Sequence, residues 1–368
     1  MAGFMKEMSA RVLVFRIGSL GDTLVSVPAL WVVRKLFPGA QLTLLTNSSK
    51  RGTMVGPESV LGLGHLVERY ITYPDSFGLA TSVPAFLKLW YELRQAEIDV
   101  VVYLAPSARP AMSILRDWLF FRTACGKMMI GFTDMRSRGR GDADSAGPRE
   151  ADLLLERLSR SGLSVPGPGQ GFTSIGIGSE EEAGLQRWLV GKDDDCGRPW
   201  IGIGPGANMP AKRWPGDRYG YVVAKLVEQF HVWPVVLGGP EDHELGAKLM
   251  DQWGCGYNGA GELTVREAGA ALKRCAIYLG NDTGTMHLAA SVGTRCVGVF
   301  SSRSRSGLWY PYGSNHVIFE TPIDCSGCEL SVCEERQMKC IMSISKETVL
   351  EGCASLLGEV LPNLGARS

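Results

Sequence analysis

The chain has 368 residues, and no apolar run among them approaches the roughly 18 that a membrane-spanning helix requires. A helical membrane span is therefore not expected, although a substrate could still sit on a membrane. Net charge is also missing, since 38 basic side chains balance 38 acidic ones. That excludes a nucleic-acid partner held mainly by charge and leaves only local basic patches. The opening MAGFMKEMSARVLVFRIGSLGD enters a strand early and lacks the basic start, apolar middle and small-residue exit of a secretory signal, so the expectation is a cytoplasmic protein. A dinucleotide fingerprint is missing too. Gly18 and Gly21 are too sparse for GxGxxG, and Asn47 stands where an acidic ribose ligand would be needed, which disfavours an oxidoreductase.

What is present is globular: 45% hydrophobic and 21% charged, long enough for two α/β domains each burying a core. The most informative stretch is Ala276 to Ser301. An apolar run of strand character breaks at Gly280-Asn281-Asp282-Thr283-Gly284-Thr285, a helix continues through Met286 and His287 to Gly293, and Cys296 to Phe300 is a buried strand. This is a parallel βαβ unit. Asp282, Thr283, Gly284 and His287 stand at the helix N-terminus, where unpaired N–H groups and the helix dipole favour a phosphate. Capping by Asp282 and core packing by His287 are the competing readings.

Arg11 to Arg16, a turn through Gly18-Ser19-Leu20-Gly21-Asp22, a helix from Thr23 to Phe37 and the strand Gln41 to Thr46 form another βαβ unit. Asp22 at that helix start either caps it or, facing a cleft, takes a proton from a substrate hydroxyl. Strand character returns at 66–72 and 100–104, with an amphipathic helix over 83–96 between them. Pro106 to Pro110 is a strand-end loop carrying Arg109, with Arg116, Arg122 and Lys127 downstream. Residues 134–149 read as a charged, glycine-rich loop whose arginines could grip an anion, 150–162 as a helix and 164–171 as a linker.

The second half opens with an expected strand at 172–177 and a helix at 180–190. Trp200 to Ala207 is a strand running into a glycine-rich loop containing Gly206, and Lys212 just beyond can reach a diphosphate as a point charge. A helix over 217–230 leads to the strand Trp233 to Leu237, which ends at Gly238-Gly239-Pro240-Glu241-Asp242. Its carboxylates could hold ribose hydroxyls or cap a helix. A helix after Leu263 and a terminal helix after Ser345 complete the reading.

With GSLGD at 18–22, KRWP at 212–215, GGPED at 238–242 and NDTGTMHLAASVG at 281–293, in that order, the chain resembles glycosyltransferase family 9. That family includes the ADP-heptose:lipopolysaccharide heptosyltransferases. The resemblance implies an α/β chain of GT-B fold, with two Rossmann-like domains facing across a cleft. Residues 1–170 would hold the acceptor and 171–345 the nucleotide sugar, while a helix and tail at 346–368 return to the N-terminal domain. It also implies an inverting transfer of heptose from ADP-heptose to a lipopolysaccharide core or lipid A precursor, at the inner face of the cytoplasmic membrane with peripheral contact to it.

By position in these motifs Asp22 is the catalytic base, Lys212 neutralises the diphosphate, Thr283 and Gly284 bind it, Asp282 contacts the sugar and His287 supports the loop. Leu263 lies by the adenine, and Gly206 belongs to the same glycine-rich mouth. Glu241 and Asp242 both remain candidates for the ribose, because the family's glutamate stands two residues after the proline and here Asp242 does. Ser19, Gly21, Arg109 and Arg116 are the candidate acceptor contacts. The alternatives are another nucleotide sugar or acceptor, a nucleotide-sugar 2-epimerase, and a non-catalytic nucleotide-sugar-binding protein.

The ten cysteines divide in two. Cys125, Cys196, Cys255, Cys275, Cys296 and Cys353 are scattered and read as reduced thiols. Cys325, Cys328, Cys333 and Cys340 cluster and could supply four thiolates to a zinc or iron ion, although the second pair is irregularly spaced. One subgroup of the resembled family holds a cysteine-bound iron. The transfer itself needs no metal cofactor, so any such ion would be structural.

Overall fold

A computed structural model describes residues 10–48, 55–74, 79–132 and 147–364. Residues 134–146 of the expected charged loop lie outside that set. The chain divides into two compact units, the first ending at Gly176 and the second comprising Ile177 onward together with Gly147 among the described residues.

In the first unit the elements run β1 (Arg11–Phe15), α1 (Leu20–Leu36), β2 (Gln41–Ser48), α2 (Pro57–Leu61), β3 (Arg69–Pro74), α3 (Leu79–Gln95), β4 (Val100–Tyr103), α4 (Ala111–Ala124), β5 (Met128–Ile130) and α5 (Glu150–Arg160). The strands form a parallel sheet in the order β3-β2-β1-β4-β5. β4 is Val-Val-Val-Tyr, buried throughout, as expected of a parallel strand covered by helices on both faces. Leu13, Phe15, Val101 and Tyr103 of adjacent strands share one core with Leu93 of α3 and Phe121 of α4.

The second unit continues with α6 (Ser179–Leu189), β6 (Trp200–Gly204), α7 (Gly216–Phe230), β7 (Trp233–Val236), α8 (His243–Trp253), β8 (Tyr257–Asn258), α9 (Val265–Arg274), β9 (Cys275–Asn281), α10 (Gly284–Ser291), β10 (Arg295–Phe300), β11 (Val317–Glu320), α11 (Lys339–Met342) and α12 (Lys346–Leu364). Its sheet is also parallel, in the order β11-β10-β9-β6-β7-β8. Every residue of β6 and of β9 is buried. Both sheets are doubly wound. Strand order reverses between β1 and β4 in the first and between β6 and β9 in the second, and in such sheets ligands lie beyond the carboxyl ends of the strands at the reversal.

One expectation is corrected. Residues 172–177 form no strand. The segment is held by side chains instead, since Ile175 is buried, the Trp31 indole donates to the Ser174 carbonyl at 2.9 Å, and the Trp31 ring meets Phe172 edge-on. Val349, Cys353, Leu356 and Leu357 of α12 lie on one helical face, and that face is buried in the second unit's core with α7 and β9.

Candidate functional site

In the first unit the chain leaves β1 at a buried cation. Arg16 is 1% exposed; its Nε donates to the Asp22 carbonyl at 2.9 Å and its Nη1 to the Leu104 carbonyl at 2.9 Å. Its Nη2 reaches Asp22 Oδ1 at 3.3 Å, and Glu150 Oε1 lies 3.7 Å from Nη1. Asp22 Oδ2 accepts from the Ser19 N–H at 2.8 Å and the Ser19 hydroxyl at 2.9 Å. Asp22 therefore does cap α1, the simpler of its two readings. Its side chain nonetheless keeps 22% of its surface open to solvent, at the carboxyl edge of the sheet. Gly18 makes this turn at φ +132°, and a Cβ there would stand 2.3 Å from the Asp22 side chain, so glycine is required. Ser19 precedes α1 and Gly21 lies in its first turn.

Arg109 and Arg116 converge on Asp117 rather than on the Ser19 turn. Arg109 Nε donates to Asp117 Oδ2 at 2.8 Å, and Arg116 Nη2 to Oδ1 at 2.8 Å. The Tyr103 hydroxyl donates to Asp117 Oδ2 at 2.8 Å, and burial raises the Tyr103 pKa, with the Asp117 charge adding to it. Asp117 is a buried hub, and Arg116 stands mostly exposed above it.

In the second unit the segments after β6, β7 and β9 meet. Asn281, fully buried at the end of β9, satisfies all its hydrogen-bonding groups. Its Oδ1 accepts from the Trp214 N–H at 3.1 Å and the Tyr219 hydroxyl at 2.9 Å, and its Nδ2 donates to the Pro205 and Gly206 carbonyls at 2.9 and 3.1 Å. One amide thus fixes the glycine-rich loop, the KRWP segment and the start of the DTG loop to one another. Lys212 Nζ then sits 2.6 Å from Asp282 Oδ2, with the two side chains 15% and 8% exposed. Thr283 caps α10, Gly284 begins it, and His287 is buried one turn in.

Asp242 packs against the same mouth. Its carboxylate occupies the space a Cβ would need at Gly206 (1.8 Å) and at Gly238 (2.3 Å), and it accepts from the Gly239 N–H at 3.2 Å. Burial raises its pKa, with the neighbouring Glu241 charge adding to the shift. Glu241 is exposed beside Gly239. Leu263, half-buried, contacts Gly259 past the end of β8. Sequence reasoning named these polar groups but gave no structural role to Arg16, Asp117, Asn281 or Tyr278, whose buried hydroxyl lies against Gly204 and Gly280. The visible signals were a charge closing an apolar strand and an amide closing another.

The four clustered cysteines line one cavity of about 10 Å³ together with Ala211, Arg303 and Lys339. Burial raises the Cys340 pKa, opposed by the Ser302 and Ile341 amides that donate to its sulfur. Among the described residues, however, no three His, Cys, Asp or Glu side chains are disposed as a metal's ligand set. The segment is also tied to the lysine loop, because the Ala211 N–H donates to the Ser331 carbonyl at 3.1 Å.

Residues 179–339 match the family model for glycosyltransferase family 9 (heptosyltransferase). Lipopolysaccharide heptosyltransferase 2 of Escherichia coli K12 is 33% identical over 113 residues, which are 29% of this chain and 32% of that one. The aligned stretch thus spans about a third of that relative's length. A glycosyl transferase family 9 structure from Veillonella parvula superposes with a TM-score of 0.70 at 22% identity, covering 96% of this chain and 98% of that one. The E. coli ADP-heptose lps heptosyltransferase II gives 0.65 at 20%, covering 95% and 99%. These likenesses establish the GT-B fold, with two Rossmann-like domains. Through the motifs its second unit carries, the chain is similar to glycosyltransferase family 9 over residues 179–339.

Proposed function

We propose that the chain is an inverting glycosyltransferase that moves heptose from ADP-heptose to a lipopolysaccharide core acceptor, working at the cytoplasmic face of the membrane where such acceptors are built. The observation that carries this reading is the Lys212–Asp282 pair, 2.6 Å apart at the N-terminus of α10. Asp282 holds the lysine at the mouth where helix N–H groups converge, and a diphosphate there would supply a stronger counter-charge. Asp282 is then released toward the sugar. Asp242, half-buried against Gly206, is better placed than exposed Glu241 to accept from the ribose hydroxyls.

The step balances simply. The acceptor oxygen bonds to the anomeric carbon from the face opposite the phosphate, the carbon–phosphate-oxygen bond breaks, and its electron pair leaves on ADP. The hydroxyl proton passes to Asp22, while Lys212 and the N–H groups at Thr283 and Gly284 stabilise the departing charge. Arg16 and Ser19 fix the orientation of the Asp22 carboxylate. No metal enters the step. An ion drawn by the thiols of Cys325, Cys328, Cys333 and Cys340 would be structural zinc or iron, closing a segment that supports the Lys212 loop. Elemental analysis of the purified chain decides that part: zinc or iron at about one per chain would assign the four thiols as ligands, and a metal-free chain would leave them as free thiols.

The test of the base is Asp22→Asn, which keeps a good helix cap but cannot take the proton. ADP affinity should stay within about twofold while turnover falls about 10²- to 10⁴-fold. Unchanged turnover would refute the assignment.

A further inference from the structure

α3 and α4 are apolar on two sides, and their packing uses only one. Inward, Leu89 and Leu93 of α3 and Ile114 and Phe121 of α4 are buried in the first unit's core. Outward, Val83, Leu87 and Tyr91 repeat at i, i+4, i+8 along α3, each more than half exposed. Met112, Leu115 and Leu119 repeat at i, i+3, i+7 along α4, and Met112 and Leu119 are again more than half exposed. The helices are neighbours, since the Phe86 and Phe120 rings meet edge-on at 5.5 Å and the Trp90 indole donates to the Thr123 hydroxyl at 3.2 Å. Single exposed apolar side chains are ordinary, but two stripes on adjacent helices mark a surface that something covers.

The charges around the stripes select the occupant. Lys88 and Arg94 on α3 and Arg122 on α4 are exposed cations, Arg116 is exposed but bonded to the buried Asp117, and Glu92 is paired with Arg69. Two copies of the chain meeting through this face would set these cations against each other. An anionic lipid surface would meet them with opposite charge while accepting Leu87, Tyr91 and Leu119 among its acyl chains. No helix among the described residues is long and apolar enough to cross a membrane, so contact of this kind would be superficial.

We propose that the outer face of α3 and α4 docks on an anionic bilayer, with the apolar stripes entering the headgroup boundary and the flanking Lys and Arg side chains binding lipid phosphates. Why a transferase should carry such a face rests on the lipid-linked acceptor proposed above; the face itself does not depend on it.

Cosedimentation of the full chain with vesicles tests this, comparing phosphatidylglycerol in phosphatidylcholine with phosphatidylcholine alone at about 0.1 M NaCl, where surface charges are screened beyond about 10 Å. The chain should pellet with the anionic vesicles and be released as salt rises. Leu87→Glu with Leu119→Glu should lower the partition coefficient about tenfold or more, and Lys88→Glu with Arg122→Glu should abolish the preference for phosphatidylglycerol. All four positions are exposed, and an unshifted thermal unfolding curve identifies variants that fold. ADP affinity should be unchanged in both, so a failure of the donor reading would show separately. Absence of wild-type binding to anionic vesicles, or equal binding by the folded variants, overturns the proposal. So does a concentration-dependent dimer that the leucine variants dissolve without any vesicle binding.

Discussion

A single methyl group at position 206 decides whether the mouth of the second unit can form. The Cβ of Gly206→Ala would stand 1.8 Å from Asp242 Oδ1, so the carboxylate must leave its seat, and ADP affinity measured by calorimetry should fall about tenfold or more. Asp242 itself gives a pH signature. Burial, reinforced by Glu241, holds its pKa above the ordinary aspartate value. As pH falls through that raised value the carboxylate protonates and loses its full capacity to accept from ribose hydroxyls, so nucleotide affinity should drop on mild acidification, earlier than an ordinary aspartate would allow. The stability sign is opposite. A carboxyl whose pKa is raised by folding costs stability once ionised, so Asp242→Asn should raise the melting temperature at pH 7 while weakening nucleotide binding and flattening its acid limb. A variant that weakens both, or neither, would argue that Asp242 is only a cap.

Among the elements, the joint between β6, β9 and the KRWP segment is the most exposed to damage, because one side chain makes it. Asn281→Ala leaves the Trp214 N–H, the Tyr219 hydroxyl and the Pro205 and Gly206 carbonyls without the partners they have now. A cost of about 2–4 kcal/mol is expected from denaturant unfolding, against less than about 1 kcal/mol for an exposed polar position such as Asp217. Leu356→Ala on the buried face of α12 should cost about 2–5 kcal/mol, as a core leucine does.

These two elements also show what could be read in the chain beforehand. β6, β9 and α10 announce themselves through continuous apolar runs ended by glycines, and the polar residues after each strand follow from the parallel-sheet geometry. The period of α12 shows that it buries one face but not against which unit. α4 was missed because Ser107-Ala108-Arg109-Pro110 and the arginines after it read as loop, whereas its apolar residues face both inward and outward. The pairings Arg16–Asp22, Arg109–Asp117 and Lys212–Asp282 could not be read, because they depend on how loops fold back over a strand end.

At the scale of the whole molecule, two doubly wound sheets each present candidate site residues where strand order reverses: Asp22 beyond β1 in one, Lys212 and Asp282 beyond β6 and β9 in the other. The account stands on the second of these being an ADP-sugar site, and calorimetric titration of the intact chain with ADP, UDP and GDP, repeated on Lys212→Ala, tests it most directly. ADP should bind about one per chain and at least about tenfold more tightly than UDP or GDP, and Lys212→Ala should lose about tenfold or more of that affinity. Equal affinity for the three nucleotides, a preference for UDP or GDP, or an unaltered Lys212→Ala titration would contradict it.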